Sequence, residues 1–399
     1  MKPNQIYFLI VFILGLTGLC SLTAGDVAGS ADIAVEVNQL ELSKIKLTGS
    51  FGDEAPSVGE RQLRLLAFSS DFATDHVLID VESTEEPQVF VYKSSDEGRH
   101  WQPFGTMGHS NFALSSGFGK NSAWVTWDSD RPLIWLGKLG EKYARAAMVP
   151  NVDGITSVFY VPSDSKGTTL YLSGWVKDEE YDVIEKSEDG GATWATLHTA
   201  PKLVDLTISP SFTQDHTLVA LVMQHPCNSC DIPDDSDYLE TSKDGGDSWN
   251  SVQTDQTDLN NLVLSPAYAT DHTLAVAGED DGLVLLSNDG GASLTDTHLA
   301  EQLSKLIKIS GTQRLVFSPN YANDKLIFAY EGGSPGVAVY NGIRWSLVTV
   351  GDSDDGIVSL AISPDFAKDH LIMAVTHKPR IWISRSLPLH FEIPKPAGD

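Results

Sequence analysis

The sequence predicts an all-β chain folded as a seven-bladed β-propeller of four-stranded antiparallel blades, with six and eight as the neighbouring counts. Three observations predict it. A ten-residue pattern recurs at intervals of roughly fifty residues. A Gly-rich turn signature recurs in step with it. Between the two lie short apolar runs bounded by turn residues, as strands are.

Composition sets the frame. The chain has 399 residues, 41% of them hydrophobic, which supports a folded core and excludes a disordered chain. Lys+Arg number 27 against 54 Asp+Glu, a formal net charge of −27. Such a charge repels nucleic acid and anionic membrane surfaces, so neither is expected as a partner. Three cysteines are too few for a disulfide-built scaffold.

The first element is Ile6–Leu19, an almost unbroken apolar run. The small residues Thr23, Ala24, Gly25, Ala28, Gly29 and Ser30 follow it. Residues 1–30 therefore read as a secretory signal peptide, with an uncleaved N-terminal anchor as the alternative. Either reading places the protein outside the cytoplasm, secreted, periplasmic or at the cell surface. Residues 31–60 hold an alternating stretch, Ile33–Leu47, suited to a strand that joins the last blade and closes the ring. Residues 61–393 form the propeller, and 394–399 a C-terminal tail.

The repeat reads Ser-Pro-x-aromatic-x-x-Asp-His/Lys. It starts at Ser209, Ser265, Ser318 and Ser363, with an early copy at Ser69. The gap between Ser69 and Ser209 holds two degenerate units, marked by Val161–Leu170 and Ser122–Leu136. Each unit reads as four strands; in one they are Leu259–Ser265, Thr273–Gly278, Leu283–Ser287 and a fourth after a tight turn. A single such sheet cannot bury both faces. Stacking the units around an axis covers them, and closing the ring removes free edges.

The turn between the third and fourth strands carries the second signature. Ser187, Asp189, Gly191 and Trp194 make one full copy; Ser242, Asp244, Gly246 and Trp249 make another. Ser94, Asp96, Gly98 and Trp101 match except for His100, and Ser287, Asp289 and Gly291 match with Leu294 in place of Trp. This resembles the Asp-box, or BNR repeat, of sialidases, sortilin-type receptors, xyloglucanases and a photosystem II assembly factor. The resemblance covers about residues 61–393 and implies that the boxes are structural and lie away from any active site. Chemistry agrees: the Asp accepts amides across a turn, the Gly supplies unusual backbone angles, and the Trp buries apolar surface.

Antiparallel strands put the first and third turns of every blade on one side of the disc. The other two connections fall on the opposite side, where repetition stops and binding residues are expected. That face is acidic. Its candidates for a ligand or cation are Asp178, Glu179, Glu180 and Asp182, then Asp231, Asp234, Asp235 and Asp237, then Glu279, Asp280 and Asp281. Acidic loops also solvate a large β-protein, so solubility competes with recognition. No cofactor is required; Ca²⁺ is the one metal the oxygen-rich loops suit, with Asp231–Asp237 its first place. Cys227 and Cys230 in that loop read as a short disulfide, with free thiols and a zinc site beside His225 as alternatives. The recurring Asp-His pairs read as turn chemistry.

Function follows in outline. The early Arg-Ile-Pro motif of sialidases is absent and arginines are scarce, so sialidase activity is not expected. The sequence reads as an exported, non-catalytic scaffold that binds a protein, peptide or glycan outside the cytoplasm or in an envelope. The alternative is a glycoside hydrolase acting on neutral polysaccharide through a carboxylate pair.

Overall fold

Short runs such as Leu218–Val222 and Leu274–Gly278 are buried on both faces and are bounded by turn residues, so they settle as central strands of a packed sheet. The computed structural model describes residues 38–41, 62–83, 89–98, 101–107, 111–115, 123–138, 145–162, 164, 168–177, 179, 181–223, 236–279, 282–303, 311, 313–350, 356–377 and 380–385.

The strands group into seven antiparallel sheets of four. The chain first lays down β1 (Asn38–Glu41). Blade 1 holds β2 (Gln62–Phe68), β3 (Leu78–Ser83), β4 (Val89–Ser94) and β5 (Gln102–Met107). Blade 2 holds β6 (Asn111–Leu114), β7 (Ala123–Trp127), β8 (Leu133–Lys138) and β9 (Arg145–Met148). Blade 3 holds β10 (Gly154–Tyr160), β11 (Leu170–Trp175), β12 (Asp182–Ser187) and β13 (Ala195–Ala200). Blade 4 holds β14 (Leu203–Ile208), β15 (Leu218–Val222), β16 (Tyr238–Ser242) and β17 (Asn250–Gln253). Blade 5 holds β18 (Leu259–Leu264), β19 (Leu274–Gly278), β20 (Val284–Ser287) and β21 (Thr295–Asp296). Blade 6 holds β22 (Gln313–Phe317), β23 (Ile327–Glu331), β24 (Gly336–Tyr340) and β25 (Trp345–Thr349). Blade 7 holds β26 (Ile357–Ile362), β27 (Ile372–Thr376) and β28 (Arg380–Ser384), and β1 is its fourth strand, pairing Asn38 with Ile383 and Glu41 with Arg380.

The protein is thus a seven-bladed propeller, as the repeats predict. The two degenerate units are real blades: the middle strands of blade 2, Ala123–Trp127 and Leu133–Lys138, fall on the first marked segment, and Val161 follows the first strand of blade 3.

The core lies between blades. Leu66, Phe68, Phe72, Tyr92 and Trp101 of blade 1 pack with Ala361, Met373, Val375 and Ile381 of blade 7. Each such side chain contributes about 1.5–3 kcal/mol by leaving water, so stability is spread over several separate interfaces.

The ten-residue repeat builds the first turn of a blade. A single helical turn forms there, as at Phe72–Asp75 and Phe212–Asp215, with its aromatic residue buried. The Ser hydroxyl donates to the Asp six residues on at 2.5 to 2.7 Å in all five copies, Ser69–Asp75, Ser209–Asp215, Ser265–Asp271, Ser318–Asp324 and Ser363–Asp369. The other carboxylate oxygen accepts an amide two residues later, as from Val77 and Thr217. His76, His216, His272, Lys325 and His370 then end the turn at φ 48 to 57. His is among the side chains that tolerate this left-handed region. The Asp of each pair is therefore spent on the turn.

Candidate functional site

The third turn of a blade sits beside the first. Gly245 donates its amide to the His216 carbonyl at 2.9 Å, and Gly290 donates to His272 at 2.9 Å. Both repeated turns therefore share one face of the disc, called here the turn face.

The Asp189, Asp244 and Asp289 turns share one geometry, and Asp96 shares its first contacts. The Ser hydroxyl donates to the Asp two residues on at 2.7 to 2.9 Å, in the pairs Ser94–Asp96, Ser187–Asp189, Ser242–Asp244 and Ser287–Asp289. The same oxygen accepts the amide of Gly98, Gly191, Gly246 or Gly291 at 2.8 Å. Thr193, Ser248 and Ser293 donate their hydroxyls to the second carboxylate oxygen at 2.5 to 2.7 Å. These bonds, with the hydroxyl donor first, hold Asp189, Asp244 and Asp289 down to about 2. Trp101 and Trp249 donate their indole N–H to the carbonyls of Gly98 and Gly246 at 3.0 Å. Trp194 is only half-buried and its Nε1 meets no acceptor. Both carboxylate oxygens of Asp189, Asp244 and Asp289 are engaged within their own turns, so these three carboxylates do not converge on a ligand.

The opposite face, the loop face, is different. Asp130, Asp153, Glu179, Asp255, Asp258, Asp296 and Glu301 are exposed there, while Asp128 and Glu279 are half-buried. Arg131 and Lys177 are exposed among them, and Arg131 pairs with Asp128 at 3.5 Å. Carboxylates outnumber cations, so the described part of this face is electronegative.

The candidate site is a cleft of about 480 Å³ at blade 5. Thr257 and Asp258 enter from the connection before β18, and Glu279, Gly282 and Leu283 from the loop between β19 and β20. Asp296, His298, Ala300 and Glu301 complete it from the segment running into the short helix Leu299–Leu303. β21 has only two residues, so the outer edge of blade 5 ends early. The helix takes its place, burying Leu299 and Leu303 against blade 6. That substitution opens the cleft. His298 Nδ1 lies 3.3 Å from Asp296 and 3.6 Å from Glu301, so one imidazole is shared by two of four carboxylates. The volume suits a side chain or short peptide, and the charge suits a basic one.

Sequence reasoning found only part of this. Glu279 lines the cleft and Glu179 is exposed on the same face. Asp182 and Asp237 are placed differently from the surface role expected of them. Asp182 opens β12, is buried, and accepts the Leu203 amide at 2.9 Å and the Lys202 ammonium at 3.1 Å. Asp237 precedes β16, is buried, and accepts the Leu259 amide at 2.7 Å. Each ties one blade to the first strand of the next; a carboxylate at the loop–strand junction meets that strand's opening amide before it meets solvent. Asp178, Glu180, Asp231, Asp234, Asp235, Asp280 and Asp281 lie outside the described residues, as do Cys227 and Cys230. Among the described residues no group of three or more His, Cys, Asp and Glu side chains is arranged to hold a metal ion. Asp258 belongs to the loop-face carboxylates that the sequence places between blades, whereas Asp296, His298 and Glu301 are not legible there; the loss of the box Trp at Leu294 was the available signal that this blade's edge departs from the pattern.

A second feature lies in the innermost strands. Asp205 of β14 accepts the Leu262 amide of β18 at 2.8 Å, and Asn261 of β18 accepts the Leu315 amide of β22 at 2.7 Å. Arg314 of β22 donates to the Val358 carbonyl of β26 at 3.1 Å. In β14, β18 and β22 a polar residue at the same place in the repeat thus stitches its blade to the next. Burial pushes Asp205 up to about 7, against the pull of the two amides it accepts.

Fold and cleft together define a seven-bladed β-propeller with structural turns on one face and an acidic cleft on the other. Solved propellers share this form. A YCF48 from Cyanidioschyzon merolae matches with a TM-score of 0.53 at 13% identity, over 82% of this chain and 96% of that one. YCF48 bound to D1 peptide matches with a TM-score of 0.53 at 14% identity, over 82% and 94%. Kuenenia stuttgartiensis hydrazine synthase matches with a TM-score of 0.57 at 12% identity, over 85% and 99%. At these identities the likeness is one of fold. No protein-family model and no curated protein matches the sequence.

Proposed function

We propose that the protein is an exported Asp-box propeller, residues 61–393, acting as a non-catalytic scaffold that binds a basic peptide or protein segment on its loop face. The single observation behind this reading is the contrast between faces. The box carboxylates Asp189, Asp244 and Asp289 of the turn face are consumed by their own turns, whereas Asp258, Glu279, Asp296 and Glu301 line an open cleft. A solved YCF48 holds a D1 peptide, which is a precedent for a peptide partner on this fold. The signal-peptide or anchor reading of residues 1–30 belongs to the same proposal. Because Asn38 pairs with Ile383, β1 begins at the turn face. Ca²⁺ enters only as an accessory of the loop containing Asp231, Asp234 and Asp235.

The test is fluorescence anisotropy with a labelled Lys-rich peptide at low salt. Asp258→Asn with Glu301→Gln alters only exposed side chains and is expected to weaken binding about tenfold, or ~1.4 kcal/mol. Unchanged affinity, or equal binding of a Glu-rich peptide, overturns the reading.

A further inference from the structure

Blade 1 breaks a rule that the other boxes keep. The residue after the box Asp is glycine at Gly190, Gly245 and Gly290, with φ 72 to 77. In blade 1 that position is Glu97, held at φ 63. An L-residue with a long side chain is strained there, and the backbone gains nothing from it. The amide of Glu97 reaches the His76 carbonyl at 3.4 Å, a longer version of the bond the glycines make.

The side chain supplies the gain. Glu97 accepts from the Arg385 guanidinium at 2.6 Å and lies 3.2 Å from His76 Nδ1. Arg385 follows β28, the third strand of blade 7. Glu97 and Arg385 are 288 residues apart in sequence. They meet across the junction of blades 7 and 1, where the two ends of the propeller come together over the core of Phe68, Phe72, Met373 and Ile381.

We propose that Glu97, Arg385 and His76 form an electrostatic clasp across the closing seam of the ring, separate from the strand latch that β1 makes at the blade's outer edge. The strained backbone at Glu97 places its side chain within reach of Arg385. The clasp is half-exposed, with side-chain exposures of 23% for Glu97 and 46% for Arg385, so salt weakens it. Opening of this seam is then expected to respond to ionic strength.

Hydrogen exchange on the full chain tests this, read separately for peptides covering Gln62–Phe68 and Ile357–Ser384 and for blades 3 and 4. Glu97→Gln and Arg385→Gln are each expected to speed exchange at the seam about fivefold, with no change in blades 3 and 4. The double variant is expected to match either single one. Glu97→Gly relieves the strained backbone and still removes the clasp, so it separates the two effects: the seam exchanges faster although the turn is relaxed. High NaCl is expected to reproduce the acceleration in the parent and to add little in Glu97→Gln. Parent-like seam exchange in Glu97→Gly and Arg385→Gln, or equal acceleration in every blade, overturns the clasp.

Discussion

Replacing Asp205 by Asn should abolish the pH response that this raised carboxyl gives the fold. Asp205 holds the first strand of blade 5 through the Leu262 amide and its own neighbour through the Leu206 amide. Burial raises it to about 7, against an unfolded value of about 3.9. Folding therefore favours the protonated form. That stability is fully present below about pH 4 and is lost as pH rises through about 7, reaching about 4 kcal/mol of lost stability by pH 8. About a third of that loss has already occurred by pH 5, and the rest falls between pH 5 and 8. Asn carries no charge, so it escapes this loss. It has one acceptor oxygen in place of two, so it gives up one amide bond, at about 1 kcal/mol. Asn261 shows that one acceptor suffices for the blade-to-blade contact, since it makes the same bond to Leu315. Asp205→Asn should lie within about 1 kcal/mol of the parent at pH 5 and be about 3 kcal/mol more stable than it at pH 8. Urea melts of both proteins at pH 5, 6, 7 and 8 measure the difference, in which other titrating groups cancel. A difference that stays constant across that range refutes the buried-carboxylate argument.

Further predictions follow from the turns. Gly246 has φ 101, and a Cβ there would lie 2.5 Å from Leu197 Cδ1, so Gly246→Ala should cost about 2–4 kcal/mol in thermal melts. Gly190→Ala has φ 72 with its nearest atom at 3.9 Å, so it should cost only about 1 kcal/mol. Asp189, Asp244 and Asp289 are held at about 2, so their stabilising effect is present above about pH 4 and disappears as pH falls through about 2. Acid titration followed by tryptophan fluorescence should show a shallower acid limb in the triple Asp→Asn variant than in the parent.

Much of the fold is legible in the sequence because its repeats are physical units. Ser209 and Asp215 recur six apart because the hydroxyl must reach the carboxylate across one helical turn, and Ser242 and Gly246 recur four apart for a similar reason. These local bonds survive as spacing. The junctions between blades leave a fainter trace. Asp182 and Asp237 sit where loop becomes strand, and sequence cannot tell a solvated loop acid from one that binds the next blade's amide. Asp205 and Asn261 look like interruptions in apolar strands, Leu203–Leu206 and Leu259–Leu262. Their shared place within the repeat was the readable sign. The cleft was the least legible part, because it arises from a shortened strand and a helix that appear in one blade alone.

A division of labour between the two faces of the disc is tested most directly by photo-crosslinking. A crosslinker placed at the exposed Thr257, beside the cleft, is compared with one at the exposed Thr74, on the turn face, each in the presence of a Lys-rich peptide. The account predicts peptide adducts from position 257 and background from position 74. Adducts from position 74 alone, or equally from both, contradict it.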